Sequence, residues 1–435
     1  MRDLISIITI FVISLTVMGM SSCNSDNGVE ETPLPVETPE IAAGDSWEAT
    51  ATLPEGRTEY AAIGIGEGDR EIIAGQNDFA LDLFRELSKA DKENSLLSPV
   101  SLSLNLGMLA NGAAGSTLDE LFKMTGVEGA DGIARLNSLN KTLMEGLAGA
   151  DKATELSLAN SLWIDSGYEV MDDFIKSNCD NYYASIYRRV LSTDPTKEEI
   201  NRWADKHTKG IINPLLEKNI SDDTRIVLIN ALYFYGTWAN PFNSKETYTS
   251  KFTCQDGTKV NADMMVYPEI YFDFAENSLF EAFYLPFGNG AYRMTFLLPK
   301  KGVNLETAEA GVTSGELSRL EKNIFRQGGE LLVPKFTVRA GGYLEETLGK
   351  LGYHNIFSPA ADFSGINPEG PLWVDDILQK AEIRVDENGA EGAVSTMTGM
   401  DNSVGPRFAI NRPFIFLISE KSSGAILFVG DVKKL

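Results

Sequence analysis

Residues 385–406 read VDENGAEGAVSTMTGMDNSVGP, a long connection of mostly small residues without an aromatic side chain. The residues before it, AEIRV at 381–385, alternate like a β-strand, and FAINRPFIFLI at 408–418 is apolar enough to be buried. A connection this long without structure of its own is uncommon inside a compact domain and is usually functional or disordered. The sequence therefore predicts an exposed loop between two core strands.

The bulk composition limits what the chain can bind. Its 435 residues are 43% hydrophobic and 23% charged, which suits a globular protein with a substantial core. The formal net charge of −24 repels nucleic acid and anionic lipid. We therefore expect no nucleic acid as a partner, and contact with a membrane only through an anchor.

The N-terminal residues have the features of an export signal. Arg2 precedes an apolar run at residues 4–20, and small residues then lead to Cys23. This order predicts a signal peptide at 1–22. It also resembles the bacterial lipoprotein cleavage site, at which that cysteine is lipidated. An uncleaved membrane anchor is the alternative, because the run is close to spanning length.

The rest of the chain divides into three parts. Residues 23–56 are acidic and rich in Pro and Thr, and they predict a disordered or extended tether. Residues 57–75 form an N-terminal extension of uncertain structure, and residues 76–435 form the folded domain. We expect an exported monomer that is anchored at the outer membrane or cell surface, with its domain periplasmic or extracellular.

The cysteine count is low. Besides Cys23 the chain has only Cys179 and Cys254. One disulfide is an option in an oxidising compartment, but the sequence does not bring the two together. Two buried free thiols is the favoured interpretation.

Helical patterns dominate the first part of the domain. Apolar residues recur at three- and four-residue steps after Asn77 or Asp78, either of which would cap the helix. A second helix is predicted at 100–110, and a third behind the capping-box pattern at 116–119. NRWADKHTKG at 201–210 predicts another helix, ended by its glycine.

Strand patterns dominate the later part. A hairpin is predicted around the turn at 420–424. The other strand segments are RIVLINALYFYGTW (225–238), buried on both faces, YRMTFLLP (292–299) and LLVPKFTV (331–338). Helices followed by strands, without strict alternation, indicate an α+β fold with large mixed sheets.

Catalytic motifs are missing from the sequence. His207 and His354 are the only histidines, and neither adjoins a serine or cysteine motif. The spacings of serine hydrolases, zinc proteases, dithiol sites and phosphate loops do not occur. Asp375 and Asp376 are strand neighbours that face opposite ways, so they do not form an acid–base pair. The sequence predicts a protein that is not an enzyme and that uses no metal and no cofactor.

Several motifs resemble, in order, those of the serpins, the serine protease inhibitors that act by a conformational trap. VDENGAEGAVST at 385–396 resembles the family's hinge. The resemblance covers about Gln76 to Leu435 and implies the serpin fold, with about nine helices around three β-sheets and an exposed reactive-centre loop. The other matching stretches are NSLLSPVSLSLNLGMLANGAAGSTLDEL (94–121), NRWADKHTKGIINPLL (201–216), IVLINALYFYGTWANPF (226–242), LLVPKFTV (331–338) and the signature FAINRPFIFLI (408–418).

The resemblance implies that the main sheet lacks a strand until the cleaved loop inserts into it. An inserted segment must donate and accept along its backbone, so proline is excluded, and residues 387–405 contain none. The predicted hinge begins at Glu387 and continues through Gly389. In the family's register the inward residues are Ala390, Gly392, Val394, Thr396 and Thr398, and the outward residues are Glu391, Ala393, Ser395, Met397 and Gly399.

Two residues depart from the family pattern. Val394 is bulkier than the residue usual at its place, and we expect it to slow insertion and favour substrate behaviour. Gln379 stands where the family has a histidine in the hydrogen-bonded shutter under the sheet. Gln can donate and accept, so it can hold that network without titrating; an ordinary strand residue is the alternative. The other shutter positions match, as does the tryptophan at the top of the sheet: Ser98, Ser101, Asn230 and Trp238.

The reactive bond has three candidates. The family's usual loop length, counted from Glu387, gives the bond between Ser403 and Val404. Counting back from FAINRPF gives the bond after Asn402. A protease pocket that prefers methionine gives the bond between Met400 and Asp401.

The loop also narrows the target. It has no Arg or Lys between residues 384 and 407, which favours an elastase- or subtilisin-like protease over a trypsin-like one. The resemblance implies a suicide-substrate mechanism, in which a serine or cysteine protease forms an acyl-enzyme and is trapped in a covalent complex. The alternatives are a non-inhibitory carrier or chaperone with the serpin fold, and a surface lipoprotein that captures a nutrient.

Overall fold

The computed structural model describes residues 6–16, 42–49, 53–387 and 405–435, the first of these through its backbone. In these residues nine α-helices and one short 3₁₀ turn (Asn355–Phe357) pack around three β-sheets, so the predicted α+β architecture is confirmed. The helices are α1 (Glu67–Ala90), α2 (Pro99–Ala110), α3 (Gly115–Thr125), α4 (Gly132–Ala148), α5 (Asp172–Tyr182), α6 (Asp194–His207), α7 (Leu305–Ala310), α8 (Ser314–Lys322) and α9 (Glu345–Lys350).

The main sheet has seven strands of mixed direction. The strand Thr224–Gly236 is buried on both faces, as the continuous run at 225–238 predicted, because α2 packs on one face and α6 on the other. In spatial order the strands are β14 (Phe336–Tyr343), β15 (Leu372–Val385), β1 (Ser6–Thr16), β6 (Thr224–Gly236), β4 (Thr154–Asp165), β5 (Ala184–Arg189) and β2 (Ser46–Trp47).

The second sheet has seven strands that are all antiparallel to their neighbours. It contains the predicted hairpin. In spatial order the strands are β12 (Phe325–Gly328), β9 (Tyr271–Glu276), β10 (Phe280–Pro286), β11 (Tyr292–Pro299), β17 (Phe414–Glu420), β18 (Ile426–Val432) and β3 (Leu96–Leu97). The third sheet is β16 (Arg407–Ala409), β13 (Glu330–Pro334), β8 (Lys259–Val266) and β7 (Tyr248–Thr253).

Some predicted boundaries were wrong. The first helix begins at Glu67, and Asn77 lies inside it and donates to the Gly424 carbonyl instead of capping. The capping box at 116–119 does not form, since α3 starts at Gly115 without a side-chain cap. The helix predicted at 201–210 starts at Asp194 and ends at His207.

The segment LLVPKFTV forms two strands rather than one. The break falls at Lys335, between β13 of the third sheet and β14 of the main sheet. The proline before it lacks the N–H that a continuous ladder requires, so the chain changes sheets at this point. The same segment therefore joins the third sheet to the main sheet.

A buried ionic cluster ties the end of α1 to α7 and the second sheet. Ser88 Oγ lies 2.9 Å from Glu309 Oε1 and 2.8 Å from Asp431 Oδ2, and Lys433 Nζ lies 3.4 Å from the same Asp431 oxygen. Burial, and then the charge of Asp431, raise the pKa of Glu309 to about 7. The cluster therefore takes up protons near neutral pH.

Both cysteines of the described domain are buried and free, as predicted. Burial raises the pKa of the Cys179 thiol to about 12. The thiolate is the reactive form, so this cysteine is inert in the folded protein.

Candidate functional site

The main sheet holds a strand between β6 and β15 that the chain's N-terminal residues supply. β1 runs parallel to both neighbours, with Val12 opposite Asn230 on one side and Gln379 on the other. Adjacent strands lie about 4.8 Å apart, so β6 and β15 are held about 10 Å apart. The expectation was a sheet that lacks this strand. The run SIITIFVISLT fills the position because it is rich in residues that suit strands and contains no proline.

Gln379 is held beneath the sheet by Ser98. Its Oε1 accepts from the Ser98 amide at 3.1 Å, and its Nε2 donates to the Ser98 carbonyl at 3.3 Å. Ser98 also caps α2, because its Oγ accepts from the Ser101 amide at 3.4 Å. The structure thus brings these three predicted residues together, all of them buried. Gln379 uses both ends of its amide and has no proton that titrates in the accessible range.

Asn230 lies across β1 from Gln379 and has a different partner. Its Nδ2 donates to Asn160 Oδ1 at 2.8 Å, and Asn160 donates in turn to the Tyr182 carbonyl at 2.7 Å. The Asn230 Oδ1 has no partner among the described side chains. Asn160 was not predicted as part of this network. The signal in the sequence was an asparagine inside the strand segment SLANSLW at 157–163, because a polar side chain buried in a strand requires a hydrogen-bond partner.

Trp238 lies just beyond the end of β6, where the chain leaves β15 for the loop. Its ring is buried, stacks on Phe287 at 4.6 Å and meets Phe242 edge-on at 5.6 Å. The indole Nε1 donates to the carbonyl of Asp386 at 3.0 Å. The chain that leaves β15 is therefore fastened to the end of β6 one residue before the predicted hinge begins.

Glu387 is clamped from two sides. Its Oε1 accepts from Thr247 Oγ1 at 2.6 Å, and Lys335 Nζ lies 2.8 Å from its Oε2. Burial would raise the pKa of this carboxyl, but the hydrogen bonds from Lys335 and Thr247 outweigh it and the pKa is lowered. Lys335 is the residue at which the chain changes sheets, and neither it nor Thr247 carries a sequence signal for this role.

The other end of the loop is fastened to the third sheet. The amide of Glu330 donates to the Pro406 carbonyl at 3.0 Å, and the Glu330 carboxylate pairs with Arg407 at 2.6 Å. β16 then runs parallel to β13. The two feet of the loop, at Glu387 and Pro406, therefore belong to different sheets.

Comparison with known proteins assigns this architecture. Residues 74–435 match the family Serpin (serine protease inhibitor). The chain belongs to the serpin family. It is 31% identical to intracellular coagulation inhibitor 2 of Tachypleus tridentatus, with 82% of this chain and 90% of that protein covered. Serpins are mostly protease inhibitors rather than catalysts, they inhibit their targets through covalent complexes, and some members are non-inhibitory.

Solved serpin structures have the same fold. The thermophilic serpin tengpin in its native state has a TM-score of 0.75 and 29% identity, covering 88% of this chain and 98% of its own. Human thyroxine-binding globulin in complex with its hormone has a TM-score of 0.75 and 29% identity, covering 84% and 99%. The first is named as a serpin, and the second is named for the ligand it binds.

Several predicted positions of this serpin lie outside the described residues. They are the hinge residues after Glu387 (Gly389, Ala390, Glu391, Gly392, Ala393, Val394, Ser395 and Thr396), the further register positions Met397, Thr398 and Gly399, the bond candidates Met400, Asp401, Asn402, Ser403 and Val404, and the lipidation position Cys23.

The described part of the serpin holds no cluster of His, Cys, Asp and Glu that could bind a metal ion. Within the same residues no helix is both long and apolar enough to span a membrane. His207 packs against Trp203 at 4.5 Å, and burial lowers the pKa of the histidine to about 4. His207 is therefore a packed helix residue.

One cavity of the serpin, of about 230 Å³, lies between α1, α8 and the second sheet. Its wall includes the buried residues Tyr284 and Arg293, whose Oη and Nε atoms have no partner in the described part of the chain. The Arg293 guanidinium lies 5.1 Å from the centre of the Tyr284 ring and pairs with Glu321 at the edge of the cavity. Leu317 and Leu417 are among the apolar residues of a lining that also includes charged Arg70 and Lys421.

Proposed function

We propose that this serpin is an exported protease inhibitor that acts as a suicide substrate. A serine or cysteine protease attacks the loop between Glu387 and Pro406 and forms an acyl-enzyme. The freed segment then inserts between β6 and β15 and carries the bound protease across the molecule. Distortion of the protease's oxyanion site slows deacylation, since loss of one donor there costs about a hundred- to a thousandfold in rate.

The observation that carries this proposal is the strand position between β6 and β15. Residues 6–16 pair with β15 and residues 7–16 pair with β6, so the position accommodates a strand that is hydrogen-bonded on both edges. A loop that leaves the end of β15 and folds back would enter this position antiparallel to both neighbours and pair equally well. Trp238 and Glu387 anchor the chain at the point of entry.

We further propose that the strand position is vacant in the exported protein. Removal of residues 1–22 takes β1 away, and lipidation of Cys23 anchors the domain through the tether at 23–56. The anchor is at the outer membrane or cell surface, and the domain is periplasmic or extracellular. Asn230 and Gln379, which lie on either side of Val12 of β1, then flank the open position.

The loop composition supports an elastase- or subtilisin-like target. The bond between Ser403 and Val404 is our first choice, and small or medium side chains occupy every candidate position. Apolar specificity pockets accept such side chains, whereas a trypsin-like pocket requires the Arg or Lys that the loop lacks.

The test is complex formation. The chain that starts at residue 23 is incubated with elastase, subtilisin, chymotrypsin and papain and run on a denaturing gel, and the cut is located by mass. We expect a denaturant-resistant band at the summed mass with at least one protease. The matched control is the same protease with its nucleophile blocked, which cannot form an acyl-enzyme. Cleavage without any such band from the whole panel would sink the inhibitor proposal.

The cavity beside α1 favours a second candidate, a small-molecule carrier. Its unpartnered Arg293 Nε and Tyr284 Oη suit a small anion with an apolar body. Thyroxine-binding globulin, a similar serpin, is solved with a hormone bound. Under this alternative the chain binds aromatic carboxylates such as thyroxine in equilibrium dialysis, loses that binding on Arg293→Leu, and forms no protease complex.

A further inference from the structure

The chain that follows the lipidation position joins the main sheet at its outer edge, where β2 runs antiparallel to β5. The Gly44 amide donates to the Arg188 carbonyl at 3.0 Å, and the Arg189 guanidinium donates to the Gly44 carbonyl at 2.9 Å. The chain is therefore fastened to the domain from Gly44 onwards. Residues 24–43 separate this point from Cys23, and we call these twenty residues the spacer.

Gly44 lies at the end of the main sheet that is opposite the loop. β5 is parallel to β4, and Arg189 lies opposite Asp165, the last residue of β4. β4 is antiparallel to β6, so the end of β4 lies beside Ile226, near the start of β6. The loop leaves β15 at the other end of β6, beyond Gly236. Ile226 lies ten residues before Gly236, which is about 33 Å along the strand.

The proposed insertion brings the cut bond to the same end as Gly44. A segment that starts after Glu387 and enters antiparallel to β15 runs from the loop end of the sheet towards Leu372, the first residue of β15. Residues 388–403 span about 53 Å as a strand, whereas the 14 residues of β15 span about 46 Å. Ser403 would therefore lie just beyond the end of β15, together with the protease that is bound to it.

The trapped protease and the entry point of the chain are then neighbours. From the insertion position, β6, β4, β5 and β2 follow in order, so β2 lies about 19 Å to the side. A protease of about 240 residues has a radius of gyration of about 18 Å and is therefore about 46 Å across. Its body is wide enough to cover the point at which the chain enters the domain at Gly44.

The spacer exceeds the width of one protease. Its twenty residues reach at most about 70 Å when fully extended. They include three prolines, five carboxylate side chains and no Lys or Arg, a composition that favours an extended chain. A spacer of about eight residues would reach only about 28 Å, which is less than the width of a protease.

We propose that the anchored inhibitor brings the trapped protease into the space between its domain and the membrane, and that the length of the spacer provides this space. The proposal rests on the proposed inhibitory function and on the anchor at Cys23. A protease without room at this end of the sheet would oppose the completion of insertion. Water would then hydrolyse the acyl-enzyme before the protease is distorted, and the inhibitor would be consumed as a substrate.

The experiment attaches the chain that starts at residue 23 to phosphatidylcholine vesicles that carry a maleimide lipid. Cys23 is the only cysteine outside the folded domain, and the buried Cys179 and Cys254 do not compete for the maleimide. One variant lacks residues 27–38, and the matched control replaces these residues with a Gly-Ser sequence of equal length. Each chain is incubated with the panel protease that forms the complex, on vesicles and free in solution. The measurement is the trapped fraction, the ratio of complex to all cut inhibitor, which slower access of the protease does not change.

We expect the deletion to lower the trapped fraction on vesicles at least about threefold, because the shortened spacer cannot span a protease. In solution the deletion variant should trap as large a fraction as the unchanged chain, and the Gly-Ser control should do so in both settings. Equal trapping by the deletion variant on vesicles and in solution would overturn the proposal.

Two other results would also overturn the role of the spacer. An equal loss in solution would assign the effect of the deletion to the folded domain, and a loss with the Gly-Ser control on vesicles would assign it to sequence instead of length. In each of these cases the unchanged chain still traps its protease in solution, so the proposed function stands. If the unchanged chain traps no protease in solution, the proposed function itself fails, and the role of the spacer fails with it.

Discussion

The main sheet and the second sheet differ in what they bury. The second sheet is antiparallel throughout, and its core side is a continuous layer of aromatic rings, among them Phe283 and Phe416. The main sheet buries the amides of Asn160, Asn230 and Gln379 and holds its two central strands apart around a third. Opening a packed apolar layer costs free energy because its contacts are lost, whereas buried amides can exchange hydrogen-bond partners. Under the proposed mechanism, the second sheet is the frame and the main sheet is the part that rearranges.

The largest expected effect comes from filling the strand position of the main sheet that we propose is vacant once residues 1–22 are removed. In the chain that starts at residue 23, a nick within 400–404 by an unrelated protease should raise the melting temperature by tens of degrees. Roughly a dozen inserted residues at about 0.5–1.5 kcal/mol per hydrogen bond give a gain on the order of ten kcal/mol, less the cost of ordering the loop. The measurement is a calorimetric scan before and after the nick, with the cut confirmed by mass.

The matched control for this prediction is the chain that keeps residues 1–22. Its strand position is already filled by residues 6–16, so the same nick should raise its melting temperature much less. An unchanged or lowered melting temperature in the shorter chain would mean that the loop does not insert. The main sheet would then be as fixed as the second one.

The next effect separates the two faces of the inserted segment. Ala390→Glu or Gly392→Arg puts a charge at a position that is inward in the predicted register. Burial of an unpaired charge there should oppose insertion by roughly several kcal/mol. We expect the protease to cut these variants at the normal rate but to escape, so that the trapped fraction falls at least about tenfold. Ala393→Glu is the control, because position 393 is outward in the predicted register, so this charge should leave the stoichiometry nearly unchanged. Equal effects at positions 390 and 393 would show that the assigned register is wrong.

A smaller effect tests the amides under the main sheet. Gln379→Ala removes both hydrogen bonds to the buried backbone of Ser98. Leaving those groups unpaired should lower the free energy of unfolding by about 1–3 kcal/mol. The control is Gln327→Ala on β12 of the second sheet, whose amide donates only to a neighbouring carbonyl. If urea titrations gave the same loss of unfolding free energy for both variants, the two sheets would not differ in this respect.

The smallest effect concerns the ionic cluster at the edge of the second sheet. The pKa of Glu309 is raised from 4.5 to about 7, so the neutral carboxyl favours the fold at low pH. That contribution is complete below about pH 4.5 and is lost as the pH rises through about 7. Glu309→Gln should therefore stabilise the protein by about 1–2 kcal/mol at pH 8, and the gain should vanish towards pH 4.5. Urea titrations at these pH values, with exposed Glu306→Gln as control, check it; a gain that did not depend on pH would contradict the assignment.

The sequence predicted a central strand of the main sheet and a hairpin of the second sheet well. The run at 225–238 and the strands that flank the turn at 420–424 are mostly apolar, which is typical of buried strands, so pattern and structure agree. The start of α1 was missed by ten residues because its first residues, EGDRE, include no apolar residue and Gly66 before them provides no capping side chain. The division at Lys335 was missed because one proline within an apolar run does not tell which sheet each half joins.

The site was predicted in part. Gln379, Ser98 and Ser101 were named together, and the structure joins them. Asn160 and the clamp of Lys335 and Thr247 were missed, since each partner comes from a strand distant in sequence and carries no motif. Residues 6–16 were interpreted as part of a signal peptide, which remains our proposal. An apolar run rich in isoleucine also suits a central strand, and composition alone does not separate these two uses.

The separate anchoring of the loop's two feet determines the fate of the cut protein. Of the residues after the cut, β17 and β18 lie in the interior of the second sheet, where both strands are fully buried. The short C-terminal piece therefore cannot leave without unfolding the frame. Spent inhibitor should migrate as a single particle in a sizing column and divide into two polypeptides only in denaturant. A cell that clears it has to recognise a changed surface, because the mass of the particle does not change.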